Sequence, residues 1–305
     1  MSAADNRRGI IGMSAAMALF IANDALVKLV SASLPGLQLI FLRGCFASVL
    51  MLIVCHTLGA LRRDAQTGVR PITQLFHKPV LLRAALDATA SLVYLTALFQ
   101  IPLANATAIN MATPLFITVL AVLMFNERVG ALRWLAIGVG FSGVLLIVQP
   151  TADGFNIWSL MCLLGTVLHA ARDAITRVIP QSVPSLLITL STVLAVSLLS
   201  GVLSLFQGWK PFNTQHLALL AAASVLLSGG YFLLIRAMRA GEMSLIAPFR
   251  YTGLLFALAL GWLLWRDVPN PMALIGIALL VGAGLFMLTQ ARKSPPASVL
   301  DATSD

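Results

Sequence analysis

The chain has 305 residues, 59% of them hydrophobic and only 10% charged, with a formal net charge of +9 and a mean hydropathy of +0.93. A soluble domain carries about 25% charged residues, so this composition excludes a water-borne globular protein and specifies an integral membrane one. The positive balance does not point to nucleic acid, because no basic stripe with interleaved aromatics is present.

Apolar runs of about 20 residues suit spanning helices, whereas barrel strands need only about 9–11 residues of alternating polarity. Ten such runs predict helices at residues 9–30, 37–58, 79–100, 104–125, 132–149, 156–176, 184–206, 215–236, 243–265 and 271–290. Pro35-Gly36, Pro102, Pro150, Pro180, Pro211 and Pro269 punctuate them. The first run follows Arg7 and Arg8 as a signal peptide would. It is too long, and it continues into charged residues without a clean cleavage site, which predicts a retained helix. Those charges are Asp24 and Lys28, four apart and so on one helix face. Each costs about 2.5–3.5 kcal/mol at the centre of a span, which makes intramembrane charge a functional signal.

Arg43 enters the second span, which also holds Cys45 and Cys55. Those two lie about 15 Å apart along one helix, too far for a disulfide. With Cys162 they form no metal-ligand spacing, so neither metal nor cofactor is expected. In the third span Asp87 lies roughly 12 Å deep, near the middle of a hydrocarbon core of about 30 Å. Arg83 precedes it by one turn. Asp87 reads as a substrate counter-charge or proton carrier, or else as half of an ion pair internal to the bundle. Tyr94, Asn105 and Tyr231 are further cavity candidates. His169 in the sixth span is either a core histidine or a cavity residue. In the ninth span Arg250 offers a planar fork for a carboxylate or phosphate, unless it snorkels to the interface. Tyr251 beside it could stack on a ligand. Residues 291–305 form a polar tail, expected to be disordered and cytoplasmic.

Lys and Arg concentrate on one side if the N-terminus is cytoplasmic, and ten spans bring the C-terminus back to that side. The chain also repeats. Asp24 and Asp173, Lys28 and Arg177, and Pro35 and Pro184 are each 149 apart; Ala97 and Ala237, Phe116 and Phe256, and Glu127 and Asp267 are each 140 apart. The difference of nine fits a longer loop after the second span. The reading is therefore all-α, with ten transmembrane helices in two inverted five-helix repeats, 1–149 and 150–290. Five is odd, so the second half enters the membrane upside down, as in many secondary transporters.

Four stretches then carry a family resemblance: Asn23-Asp24 with Lys28, Pro35 and Arg43; Tyr94–Ala108 followed by Pro114-Leu115-Phe116; Phe125-Asn126-Glu127-Arg128; and Ala247-Pro248-Phe249-Arg250-Tyr251 with Gly261-Trp262 and Asp267. Together they resemble the EamA-type branch of the drug/metabolite transporter superfamily, over nearly the whole chain. The chain departs from the pattern at Asn126 and Arg266, where the family often has Gly, and at Gln38, near which it often has a carboxylate. The resemblance implies a ten-helix transporter around a central cavity. It also implies substrates among amino acids, S-adenosylmethionine, nucleotide-like metabolites, riboflavin and opine-type chelators.

The expected substrate site comprises Asp87, Asn110, Arg250, Tyr251, Tyr94 and His169. Asn110 and Arg250 are repeat equivalents at the 140-residue offset. Asp24, Lys28 and Arg43 form one expected gate, and Asp173 with Arg177 the other; the alternative for Lys28 and Arg177 is simple anchoring of helix ends. The expected function is alternating-access transport of a small polar or zwitterionic metabolite across the cytoplasmic membrane. Uptake of a riboflavin-like vitamin or S-adenosylmethionine is the alternative. No ATP-binding motif is present, so a solute gradient or a coupling proton would supply the energy. A membrane-embedded enzyme would need clustered His or carboxylates, which are lacking. The expected partners are the substrate, the lipid bilayer, a coupling proton and a second copy in a homodimer.

Overall fold

A computed structural model describes residues 3–60, 71–125, 130–149, 156–176, 178–180, 182–240 and 246–293. Within a bilayer every backbone polar group must find a partner in its own chain, and an apolar run does this as a helix. Among the described residues all regular structure is helical. The helices are α1 (Ala3–Ser31), α2 (Gly36–Thr57), α3 (Lys78–Leu98), α4 (Leu103–Asn110), α5 (Thr113–Phe125), α6 (Ala131–Val148), α7 (Ile157–Thr176), α8 (Ser185–Gln207), α9 (Thr214–Ala240), α10 (Thr252–Trp265) and α11 (Pro271–Lys293). Short 3-10 turns cover Pro71–Phe76 and Ala247–Tyr251. Proline sets several starts: Pro35, Pro102 and Pro184 stand in extended conformation just before α2, α4 and α8, where the missing N–H costs nothing.

Each of the ten apolar runs coincides with a helical segment. Seven, among the described residues, are long and apolar enough to cross a membrane, and Phe249–Trp265 and Pro271–Met287 are shorter apolar helices. The chain is a multi-pass membrane protein. The fourth and ninth runs are not continuous α-helix. The fourth breaks at Met111-Ala112, ahead of Pro114, and the ninth opens as a 3-10 turn containing Pro248. A proline removes one helical hydrogen bond and crowds the preceding turn. Threonine fills the gap at Pro114, where Thr113 Oγ1 donates to the Asn110 carbonyl at 2.6 Å; beyond Pro248, Thr252 Oγ1 donates to the Phe249 carbonyl at 2.6 Å.

The helices pack as antiparallel pairs: α1 with α9, α3 with α7, α2 with α8, and α6 with α11. Small residues allow the approach, because lipid supplies no hydrophobic drive and association rests on van der Waals fit. A Cβ at Gly143 would stand 2.6 Å from the Gly276 carbonyl oxygen, so α6 and α11 touch through backbone. Gly165 of α7 also packs closely on α3, where a Cβ would meet the Tyr94 backbone at 3.1 Å. At the centre of the α2–α8 pair, Ser48 Oγ and Ser197 Oγ meet at 3.2 Å.

The two ends of the bundle differ in their contacts. At the N-terminal end, where α1, α3 and α8 begin, Val80, Ile179 and Val183 form an apolar cluster. At the far end, the Gln38 side chain pairs with the Lys210 backbone in both directions, at 2.8 and 2.9 Å, and Phe41 packs edge-on against Trp209.

Candidate functional site

A cavity of about 130 Å3 lies among α1, α2, α3, α8 and α9. Its polar lining comes from periodicity. On α3, Arg83, Asp87, Ser91 and Tyr94 recur at spacings of four, four and three, so they share one face, and all four line the cavity. On α1, Asn23 and Asp24 both reach it, and Arg43 of α2 and Tyr231 of α9 complete the polar wall.

Towards the far end, neutral groups separate two opposite charges. The Asn23 side chain donates from Nδ2 to Asp24 Oδ1 at 2.9 Å and accepts from Arg43 Nη1 at 3.4 Å. Tyr94 OH donates to Asp24 Oδ2 at 3.3 Å. Arg43 is 7% exposed and Asn23 1%, yet Arg43 has no carboxylate ion-pair partner among the described residues.

Towards the N-terminal end the charges are paired directly. Asp87 is 2% exposed, and Arg172 of α7 grips it at 2.5 Å while also holding Asp173 at 2.9 Å. Charge-assisted bonds of this kind are roughly twice as strong as neutral ones. They offset the desolvation that a lone buried carboxylate would suffer. Arg83 extends the network differently: Nε donates to Thr176 Oγ1 at 2.8 Å and Nη1 to Thr192 Oγ1 at 2.6 Å. Two hydroxyls thus aim the guanidinium without neutralising it, and tie α3 to α7 and α8.

Of the residues expected in the substrate site, the structure brings Asp87 and Tyr94 to the cavity, together with Asp24 and Arg43 expected at a gate. Asn110 lies off that lining, with its Oδ1 3.2 Å from His169 Nδ1, and the His169 ring faces Tyr94 at 5.7 Å. Arg250 is exposed. Tyr251 packs against Gly284 so tightly that its hydroxyl fills the space a Cβ there would need. Asp173 reaches the site only through Arg172. Lys28 stands at the far end, where its ammonium donates to the Ile101 carbonyl and lies 5.3 Å over the Trp265 ring. Arg177 lies outside the described residues. Among the described residues no group of three or more His, Cys, Asp or Glu could hold a metal ion.

Thr189, Thr192 and Ser91 are cavity residues that sequence reasoning did not single out. One signal existed for Thr192, which stands 149 residues after Arg43. Ser91 could have been found by extending the face of Asp87 one further turn.

The EamA-like transporter family profile matches residues 7–149 and again residues 156–289. The chain is 30% identical to a riboflavin transporter of Rhizobium johnstonii over 208 residues, 68% of this chain and 69% of that one. It is 28% identical to the pseudopaline exporter of Pseudomonas aeruginosa over 281 residues, covering 91% and 94%. It is 26% identical to an S-adenosylmethionine uptake transporter of Rickettsia bellii over 277 residues, covering 90% of each. A solved crystal structure with 17% sequence identity superposes with a TM-score of 0.61 over 94% of this chain and 99% of its own, a likeness of fold.

Proposed function

The chain belongs to the EamA-like transporter family, and on that premise we propose that it is a secondary transporter moving a small polar or zwitterionic metabolite across the cytoplasmic membrane by alternating access. The observation that carries this reading is one cavity bordered by Asp24, Arg43, Arg83 and Asp87, two charges of each sign. A neutral vitamin makes no use of these four charges, of which Arg43 and Asp87 are buried and Asp24 and Arg83 half-buried, and charge in a membrane span is costly. A zwitterion uses both signs.

The same reading places ten spans in two inverted repeats, 1–149 and 150–290, with both termini cytoplasmic. The helix pairs support it. The 149- and 140-residue offsets relate α1 to α7 and α3 to α9, so the α1–α9 pair maps onto the α7–α3 pair. Ser48 and Ser197, in contact, are themselves 149 residues apart, as expected for a residue meeting its own equivalent on a two-fold axis. The family profile also matches twice. The Lys and Arg distribution supports the orientation.

Uptake of S-adenosylmethionine is a second reading, favoured by relatives that align over about nine-tenths of the chain. Purified protein in liposomes, tested for counterflow of labelled amino acids, S-adenosylmethionine and riboflavin, separates the two. Failure to move any solute under imposed proton, sodium or exchange gradients overturns the transporter reading itself.

A further inference from the structure

An Asp and an Arg buried side by side ordinarily form a direct ion pair. Here they do not. Asp24 and Arg43 are kept apart by the Asn23 amide, whose nitrogen serves the anion and whose oxygen serves the cation. An amide in that place presents a donor towards the carboxylate and an acceptor towards the guanidinium. An α-amino acid presents the same pattern, with full charges: its ammonium donates and its carboxylate accepts.

The span fits as well. Bond lengths of about 1.23 and 1.33 Å put the amide oxygen and nitrogen roughly 2.3 Å apart. With contacts of 2.9 and 3.4 Å on either side, Asp24 Oδ1 and Arg43 Nη1 are therefore separated by at most about 8.6 Å. An amino-acid head with one charge-assisted bond of about 2.7–2.9 Å at each end covers about 8–9 Å.

The charges are also left in need of a partner. Among the described residues, Asp24 is hydrogen-bonded by neutral donors, Asn23 and Tyr94. Arg43 has five N–H donors, and its side chain makes one hydrogen bond, at 3.4 Å, among the described residues. That length marks a weak bond, so the amide gives way readily to a charged competitor. Asn23, Asp24, Arg43 and Tyr94 all line the cavity.

We infer that the Asp24–Asn23–Arg43 bridge is the head-group subsite for an α-amino-acid-type zwitterion, and that the Asn23 amide is its internal stand-in when the site is empty. This rests on the transporter reading above. The ammonium docks on Asp24 and the carboxylate on the Arg43 fork, while Asn23 rotates aside. The substrate side chain then extends along α3 towards Ser91 and Asp87.

The test is counterflow in proteoliposomes with a labelled mixture of the common L-amino acids. The unlabelled competitors are the same amino acids, their amides (no carboxylate) and the matching 2-hydroxy acids (no ammonium). In the unmodified protein, amides and hydroxy acids compete at least tenfold more weakly than amino acids. Asp24→Asn brings the preference over hydroxy acids down to about one and keeps the preference over amides. Arg43→Gln does the reverse, and Arg43→Lys restores part of it. A merely structural role would lower both preferences, or total uptake, together.

Equal competition by all three classes in the unmodified protein overturns the inference while leaving the transporter reading intact. So does a parallel loss of both preferences in the two variants. If the protein carries riboflavin but no amino acid, the zwitterion assignment falls and transport stands; if it carries nothing, both fall. The competition in unmodified protein needs no variant, so misfolding of Asp24→Asn or Arg43→Gln does not shield the idea.

Discussion

Asp87→Asn tests whether the N-terminal network is the barrier on that side of the cavity. The substitution keeps the shape and removes the charge that Arg172 grips at 2.5 Å. Breaking a buried pair by deleting one partner costs about 3–5 kcal/mol when the other is stranded. Arg172 is not stranded here, because Asp173 still holds it at 2.9 Å. The loss therefore falls to that of one hydrogen bond to a charged group, about 1.5–3 kcal/mol. If this interaction exists only while the N-terminal end is closed, the open population rises by about 10- to 150-fold. The assay uses a background with Cys45, Cys55 and Cys162 replaced and Ser91→Cys as reporter on the cavity wall. A membrane-impermeant maleimide is applied from the N-terminal side. The labelling rate should rise by that factor while the protein still inserts and elutes as a single species. A change of less than about twofold, or some 0.4 kcal/mol, would refute the assignment of the Asp87–Arg172 pair as a barrier. The same variant should lose uptake in liposomes, and unchanged uptake would remove Asp87 from the transport cycle.

Lys28→Met removes the ammonium that holds the Ile101 carbonyl and faces Trp265. A partly exposed cation–π contact of about 0.5–1 kcal/mol predicts a two- to fivefold faster labelling of Ser91→Cys from the far end only. Gly276→Ala places a Cβ against the backbone oxygen of Gly143, and overpacking of this kind costs about 1–3 kcal/mol. The melting temperature in detergent should fall, whereas Gly282→Ala, with open space around it, should not lower it, because Ala is the better helix former. Ser48→Cys with Ser197→Cys, in the same cysteine-free background, should cross-link spontaneously under mild oxidation, given an Oγ–Oγ distance of 3.2 Å.

Depth was legible in the sequence; direction around the helix axis was not. Counting 1.5 Å per residue singled out Asp87 as a deep charge, and the apolar run around Asp24 marked that residue as an intramembrane one, expected at a gate; both border the cavity. Their sharing one cavity depends on how α1, α2 and α3 lean together, which no local pattern encodes. Arg250 illustrates the converse. Its place in the repeat matches Asn110, but it sits in a 3-10 turn, which advances 120° per residue rather than 100°. Equivalence in number therefore does not carry over to equivalence in facing, and Arg250 is exposed. The break that produces this was announced by Pro248, as Pro114 announced the other. Apart from its place 149 residues after Arg43, Thr192 carried no signal. A hydroxyl in an apolar helix usually bonds back to its own carbonyls, as Thr192 does to Ile188, and only the fold shows it also receiving Arg83.

The two ends of the cavity use related residues to opposite effect. At the 149-residue offset Asp24 corresponds to Asp173, and Asn23 to Arg172. One helix position thus holds an amide at one end and a guanidinium at the other. The amide bridges Asp24 and Arg43 through hydrogen bonds with one ionised partner each, and the guanidinium clamps Asp87 and Asp173 by ion pairs, with both partners ionised. The ion pairs are also the shorter contacts, 2.5 and 2.9 Å against 2.9 and 3.4 Å, so the N-terminal end should be the harder to open. Arg172→Asn makes the two positions chemically alike. It also leaves the carboxylate of Asp87 buried without its ion-pair partner, an expected cost of about 3–5 kcal/mol, larger than that of Asp87→Asn. The maleimide assay should therefore rank Arg172→Asn above Asp87→Asn in N-terminal-side labelling. The double variant should recover part of the stability lost by Arg172→Asn, because the stranded charge is gone. If Asp87→Asn opens that side more than Arg172→Asn does, the asymmetry does not originate at this helix position.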